Sequence, residues 1–167
     1  MFNRLNRLLN GLYRLAGLCA ALSIIIVFVL IIAQIIARQL DTHIPSSGDL
    51  IGFAVVWATF LGLPYTMQAR GHIRVELFIT RMRREHRRWL LLLVAAFACT
   101  MLSIFSYFII QLVYESWHYG DVTDGEIAMP LWLMQLPMAV GAVLFTLSML
   151  SAMFEDFFAK PAATEIT

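Results

Sequence analysis

Charge is the scarce commodity in this chain. Of its 167 residues only 14% are Asp, Glu, Lys or Arg, while 60% are hydrophobic, well above the ~45–50% apolar content of ordinary soluble domains. No charged side chain interrupts Leu15–Ala37, Leu50–Ala69, Trp89–Tyr114 or Ile127–Phe154. Proton relays and ion-coupled sites need acids or bases inside the membrane, so their absence argues against a proton-coupled carrier. All four histidines, His43, His72, His86 and His118, lie in or at the edges of the connections, where they cannot act as axial ligands of a haem held between helices. The two cysteines, Cys19 and Cys99, lie inside apolar runs with no CxxC spacing, which excludes a disulfide framework or zinc motif and leaves them as small buried hydrophobes. There is no GxSxG, HExxH or phosphate-binding glycine loop, and no carboxylate pair within the runs. The sequence therefore offers no catalytic residue, cofactor site or metal site, and the expectation is a non-enzymatic protein. Its net charge of +1 rests on arginines beside the ends of the runs, which membrane topology explains without nucleic acid.

What is present is length. A helix rising ~1.5 Å per residue needs about 20 residues to cross ~30 Å of hydrocarbon, and all four runs suffice. The expected fold is all-α: one four-helix membrane domain over residues 1–160, with spans near 15–37, 50–69, 89–114 and 127–154, and a short flexible tail at 161–167. The first run follows Arg4, Arg7 and Arg14 as a signal peptide would, but it is too long and lacks a small-residue cleavage site; it reads as a retained helix. The amino-terminal segment and the second connection carry most arginines, the latter Arg70, Arg74, Arg81, Arg83, Arg84, Arg87 and Arg88, whereas the third connection has no Lys or Arg. The positive-inside rule then places both termini of this multi-pass membrane protein in the cytoplasm.

Within the second connection, Val75, Phe78, Ile79, Met82, His86 and Trp89 fall within about 100° of a helical wheel. That pattern predicts an amphipathic helix lying in the lipid interface, with Arg81, Arg84 and Arg88 toward headgroups or toward a cytoplasmic partner. In the spans, Ala54, Ala58 and Gly62 form a strip of small residues every four positions, as do Ala95, Cys99 and Ser103. Such strips admit close helix approach, either within the bundle or with another protein. Gln34, Gln68, Gln111 and Gln135 are candidates for hydrogen bonds between helices. Pro64 and Pro137 each remove a backbone hydrogen bond and predict a kink, while Pro130 is expected in the first turn of the last helix. Trp89 suits the cytoplasmic interface, and Trp117 and Trp132 the outer one.

The run WATFLG from Trp57 to Gly62, followed by ARGHIRVELF from Ala69 to Phe78 and by MPLWLMQLPMAVG from Met129 to Gly141, resembles the small membrane subunit of tripartite ATP-independent periplasmic (TRAP) transporters. The resemblance implies a scaffold for a large membrane permease that imports an organic anion on an ion gradient, typically sodium, with a periplasmic solute-binding protein as third component. It also implies that Trp57, Phe60, Leu61 and Gly62 shape the second helix. Arg70, His72, Ile73 and Val75 would set the cytoplasmic turn, and Pro130, Trp132, Pro137 and Gly141 would shape the fourth helix. The chain departs from the family pattern at Gly48 and Asp49, where the family often has consecutive acids.

Two other classes compete with this reading. A membrane anchor for a redox enzyme would bring haem or quinone, and an autonomous small transporter would assemble around a polar pathway. Neither finds its residues here. On the transporter-subunit reading, filling the close contact at Gly62 with leucine should lower complex yield.

Overall fold

A computed structural model describes residues 2–68 and 84–158. They form four helices: α1 (Phe2–Gln39), α2 (Ser47–Gln68), α3 (Arg84–Tyr119) and α4 (Leu131–Phe158). Each contains a segment long and apolar enough to cross a membrane. The helices outrun the charge-free segments because arginine and glutamate are good helix formers and continue the turn into the headgroup region. The expected interfacial helix lies mostly outside the described residues, as do Arg70, His72, Ile73, Arg74, Val75, Arg81 and the tail at 161–167.

The ends of the helices are chemically specified. Beyond α1, Asp41 takes a left-handed conformation (φ 49°), and the Thr42 amide bonds the Ala37 carbonyl at 3.0 Å. Beyond α3, Gly120 does the same (φ 68°), and the Asp121 amide reaches the Ser116 carbonyl at 3.0 Å. In both, the six-residue bond of a Schellman stop satisfies a carbonyl that would otherwise be orphaned. Asp49 stands in the first turn of α2, where its charge complements the helix dipole. Pro130 is a correction: it precedes α4 instead of lying in its first turn, forming an isolated antiparallel bridge with Val122. Its carbonyl accepts from the Leu133 amide at 3.2 Å. The fourth span accordingly starts as a helix at Leu131, because the backbone of Met129 and Leu131 is committed to Thr123 and Asp121.

The helices pack in the spatial order α1, α2, α4, α3. α1 runs antiparallel to α2, as Gly17 lies against Tyr65 and Gly62 against Ala20. α3 runs antiparallel to α4, with Ser106 bonded to Thr146. α2 and α4 are parallel, with Trp57 meeting Met134, Phe60 meeting Gly141 and Ser148 meeting Pro64.

The buried face of α1 reads Tyr13, Ala16, Ala20, Ser23, Val27, Leu30, Gln34 and Ala37, alternating three and four residues while most intervening positions are exposed. This is a heptad seam, whose 3.5-residue period keeps one face on a neighbour under left-handed packing. The corresponding face of α3 is Cys99, Leu102, Ser106, Ile109, Val113 and Ser116. Ser103 lies off that seam and is exposed, so the expected strip Ala95, Cys99, Ser103 fails at its last member. A strict four-residue repeat drifts by about 40° per step on a helix of 3.6 residues per turn and leaves the contact. The remaining surface is strongly apolar, with Leu18 67%, Phe28 64%, Leu93 68% and Phe108 61% exposed. Such faces require lipid or protein against them.

Candidate functional site

Two of the three sequence runs that carry the family resemblance, Trp57–Gly62 and Met129–Gly141, come together at the α2–α4 seam. Pro64, the most deeply buried large side chain described, has no N–H to donate to the Phe60 carbonyl four residues earlier. That carbonyl is turned against Gly141: a Cβ built there would lie 2.5 Å from the Phe60 oxygen and 2.6 Å from its carbon. The Pro64 carbonyl in turn accepts from Ser148 Oγ at 3.4 Å. On the other helix Pro137 leaves the Leu133 carbonyl without its usual donor. One residue on, the Met134 carbonyl accepts the Trp57 indole N–H at 2.7 Å. Each proline break is therefore faced by a residue of the partner helix, which is how a membrane protein keeps an interrupted backbone tolerable away from water.

Phe60 also joins the third helix. Its ring stacks on Phe105 with centroids 6.2 Å apart and an interplanar angle of 14°. It also packs on the buried cluster of Ile109, Ala139 and Ala142. α4 thus stands between α2 and α3, presenting Gly141 and Ser148 to α2 and Thr146 to α3. Ser106 and Thr146 exchange a buried hydroxyl–hydroxyl bond of 2.9 Å, and Thr146 also bonds the Ala142 carbonyl of its own helix at 3.0 Å.

Other candidates divide by neighbour. Gly62 faces α1, where an added Cβ would meet that of Ala20 at 3.7 Å. Ala54 is buried, and Ala58 and Leu61 are half-buried, so this strip lies within the packed part of α2. Trp132 is half-buried and lines an apolar groove of about 590 Å3 between α3 and α4, facing Trp117 and Tyr114. Arg84 and Arg88 belong to the first turns of α3, their side chains outside the described residues. Among the described residues no glutamine bonds another helix: Gln111 Nε2 donates to Glu115 Oε1 of its own helix at 2.9 Å, and the Gln135 Oε1 is buried without a partner there. The Trp57 indole and the hydroxyls of Ser106, Thr146 and Ser148 provide the interhelical bonds instead. Short hydroxyl side chains reach across a seam set by small residues, whereas a glutamine there must bend along its own helix.

At the arginine-poor end, two loops close on each other. Ser46 Oγ accepts the Ile127 amide at 2.9 Å, and Gly125 lies so close to Asp49 that a Cβ would collide with Oδ2. His43 Nε2 stands 3.2 Å from Glu126 Oε2 in an exposed pair. Thr123 organises the third loop, its hydroxyl donating to the Ile127 carbonyl and accepting from the Met129 amide. Gly48 meets nothing within 4 Å, whereas Asp49 is part of this clasp.

Sequence reasoning missed Gly17, the heptad seam of α1 and the role of Ser148. The 3–4 spacing of Ala16, Ala20 and Ser23, continued by Val27, Leu30, Gln34 and Ala37, carried that signal, hidden because its flanking positions are equally apolar. At Tyr13, which begins the seam, the hydroxyl faces Ser151 of α4 without closing a hydrogen bond to it.

The described spans hold no cluster of three His, Cys, Asp or Glu suited to a metal ion. Chemically, the site can hold helices together. Residues 27–159 match the family described as tripartite ATP-independent periplasmic transporters, DctQ component. No curated protein matches the chain.

Proposed function

The chain belongs to the DctQ family of TRAP transporter components, and from that membership we propose that it scaffolds the large permease subunit of a three-part importer. The large subunit carries an organic anion inward on an ion gradient, of sodium in this reading, after a periplasmic binding protein delivers it. Both termini face the cytoplasm, and the arginine-rich connection rests on the inner headgroups, with Arg70, His72, Ile73, Arg74, Val75, Arg81, Arg84 and Arg88 as its turn and lipid contacts.

The observation that carries this reading is the disposition of polarity in the spans. Trp57, Ser106 and Ser148 bond neighbouring helices, and Thr146 meets both Ser106 across the seam and the Ala142 carbonyl of its own helix. No Asp, Glu, Lys, Arg or His lies between Leu15 and Ala37, Leu50 and Gln68, Leu93 and Tyr114, or Leu131 and Met153. A translocation path needs polar groups free to exchange between solute and protein; here the exposed hydroxyls of Thr59, Thr66 and Thr100 fold back on carbonyls of their own helices and broad apolar faces turn outward, which suits support. Trp57, Phe60, Leu61, Gly62, Pro137 and Gly141, with Ala54, Ala58, Pro130 and Trp132 around them, give the support its shape.

The test is affinity purification of the tagged chain from its native membranes in mild detergent, with mass spectrometry of what co-elutes. A much larger multi-span protein is expected, and proteoliposomes holding both should take up solute only with binding protein and an ion gradient present. Co-elution of a soluble redox enzyme, or a homo-oligomer that transports alone, would overturn the proposal.

A further inference from the structure

We propose that the α3–α4 groove is a binding site for one phospholipid of zero net charge whose headgroup carries an amine, held by its acyl chain in the leaflet at the arginine-poor end. The inference requires that the chain be embedded in a bilayer and is otherwise independent of its role as scaffold.

The groove has the dimensions of a chain site. Its α4 wall runs from Trp132 to Leu144, ~18 Å at ~1.5 Å per residue, comparable with the ~15 Å that is half of a ~30 Å hydrocarbon core. Its floor holds Ala139, whose small side chain makes room between larger neighbours, and every lining residue is aliphatic or aromatic. A groove of that kind facing hydrocarbon accepts flexible methylene chains at little cost.

The rim supplies the headgroup end. Trp117 and Trp132 stand at the mouth, and their indole N–H groups have no acceptor among the described residues, in contrast to Trp57, whose N–H is committed to Met134. An aromatic body against apolar surface with a free N–H is the arrangement that suits the ester and phosphate level of a membrane. Charge then selects among headgroups. The loop above the groove carries Asp121, Asp124 and Glu126 and, from Trp89 to Phe158, the chain has no Lys or Arg. Acids repel an anionic headgroup and attract an amine, so phosphatidylethanolamine chemistry fits where phosphatidylglycerol or cardiolipin does not.

The experiment purifies the full chain with its co-eluting partners in a delipidating detergent and identifies retained lipid by native mass spectrometry. Vesicles of equal phosphatidylethanolamine and phosphatidylglycerol provide the competition. One phosphatidylethanolamine per chain is expected to survive. Val140→Trp fills the groove from its exposed side and should cut retention severalfold, because the indole takes the place of the acyl chain and removes its packing contacts. Val94→Trp, on an exposed α3 position outside the groove, should leave retention intact. Trp117→Phe with Trp132→Phe keeps both ring faces and removes both N–H donors; it too should lower retention. Lipid loss equal in Val94→Trp and Val140→Trp, preferential retention of phosphatidylglycerol, or a photocrosslinker at 140 that captures a peptide of another subunit would each overturn the site. Partner co-elution is read in the same samples, so failure of the lipid site and failure of the scaffold reading are separable.

Discussion

A Cβ atom on Gly141 would lie 2.5 Å from the carbonyl oxygen of Phe60, so the fourth helix touches the second through bare backbone. The carbonyl is available because Pro64 cannot bond it. Gly141 and Pro64 are thus halves of one contact: the proline releases the oxygen and the glycine makes room for it. Backbone atoms cannot swing aside as a side-chain tip does, which sets the first expectation.

Gly141→Ala should destabilise the protein by about 1–3 kcal/mol, the range for forcing extra bulk into a packed contact. Thermal unfolding in detergent measures it against Gly52→Ala, whose added methyl meets nothing within 4 Å. Equal melting temperatures would show that the seam is looser than described.

On the other face of α2, Gly62→Ala should be nearly neutral, because its methyl would meet Ala20 at ordinary contact distance, whereas Gly17→Ala should destabilise, because its methyl would lie 2.9 Å from the Tyr65 ring. Gly62→Leu should separate α1 from α2 and lower both the melting temperature of the chain and the yield of its complex. A lower yield with unchanged melting would mean that Gly62 faces the partner instead.

Trp57→Phe keeps most of the ring and removes the donor to Met134. The expected loss is about 0.5–1.5 kcal/mol, at the low end if lipid-embedded bonds average ~0.6 kcal/mol. The measurement is thermal unfolding of the chain with and without Pro137→Ala, which restores an N–H beside the same carbonyl. A smaller Trp57→Phe effect in the Pro137→Ala background is expected, and identical effects would disconnect the indole from the proline.

A double-mutant cycle of Ser106→Ala and Thr146→Val isolates the hydroxyl bond between α3 and α4. Its coupling should be about 0.6 kcal/mol and no more than ~1.7 kcal/mol. Zero coupling would assign the Thr146 hydroxyl to the Ala142 and Leu102 carbonyls instead of Ser106.

At the loop clasp the expectation reverses. Gly125→Ala should cost little, about the 1 kcal/mol of one hydrogen bond: its methyl meets the end of the Asp49 side chain, which can rotate, and Ser46 Oγ, whose bond to the Ile127 amide must yield. His43→Gln should change stability little, since both members of its pair are largely exposed, 76% and 59%, and such pairs are screened. A large loss in either variant would give the clasp a stabilising role that its geometry does not support.

Four spans were legible because the bilayer tolerates so few charges, but their ends were not: α1 and α3 run past the charged residues that bracket their apolar runs, and α4 starts at Leu131, beyond Glu126. The prolines announced breaks, and the order of the Trp57–Gly62 and Met129–Gly141 runs carried the family resemblance that the match over residues 27–159 supports. The seams were harder to read. In a soluble helix the polar face marks the outside, but here lipid makes outside and inside equally apolar, and Ala95, Cys99 and Ser103 looked as good a strip as Cys99, Leu102 and Ser106. Nothing in linear order could say that α2 lies on α4, that Trp57 would find the carbonyl beside Pro137, or that Gly141 would meet the oxygen Pro64 had freed. The sequence by itself determined which segments enter the membrane, because transfer free energy is summed along one chain. Only the tertiary structure decided which faces meet, because close packing and directional hydrogen bonds depend on residues far apart in the chain arriving within a few ångströms of each other.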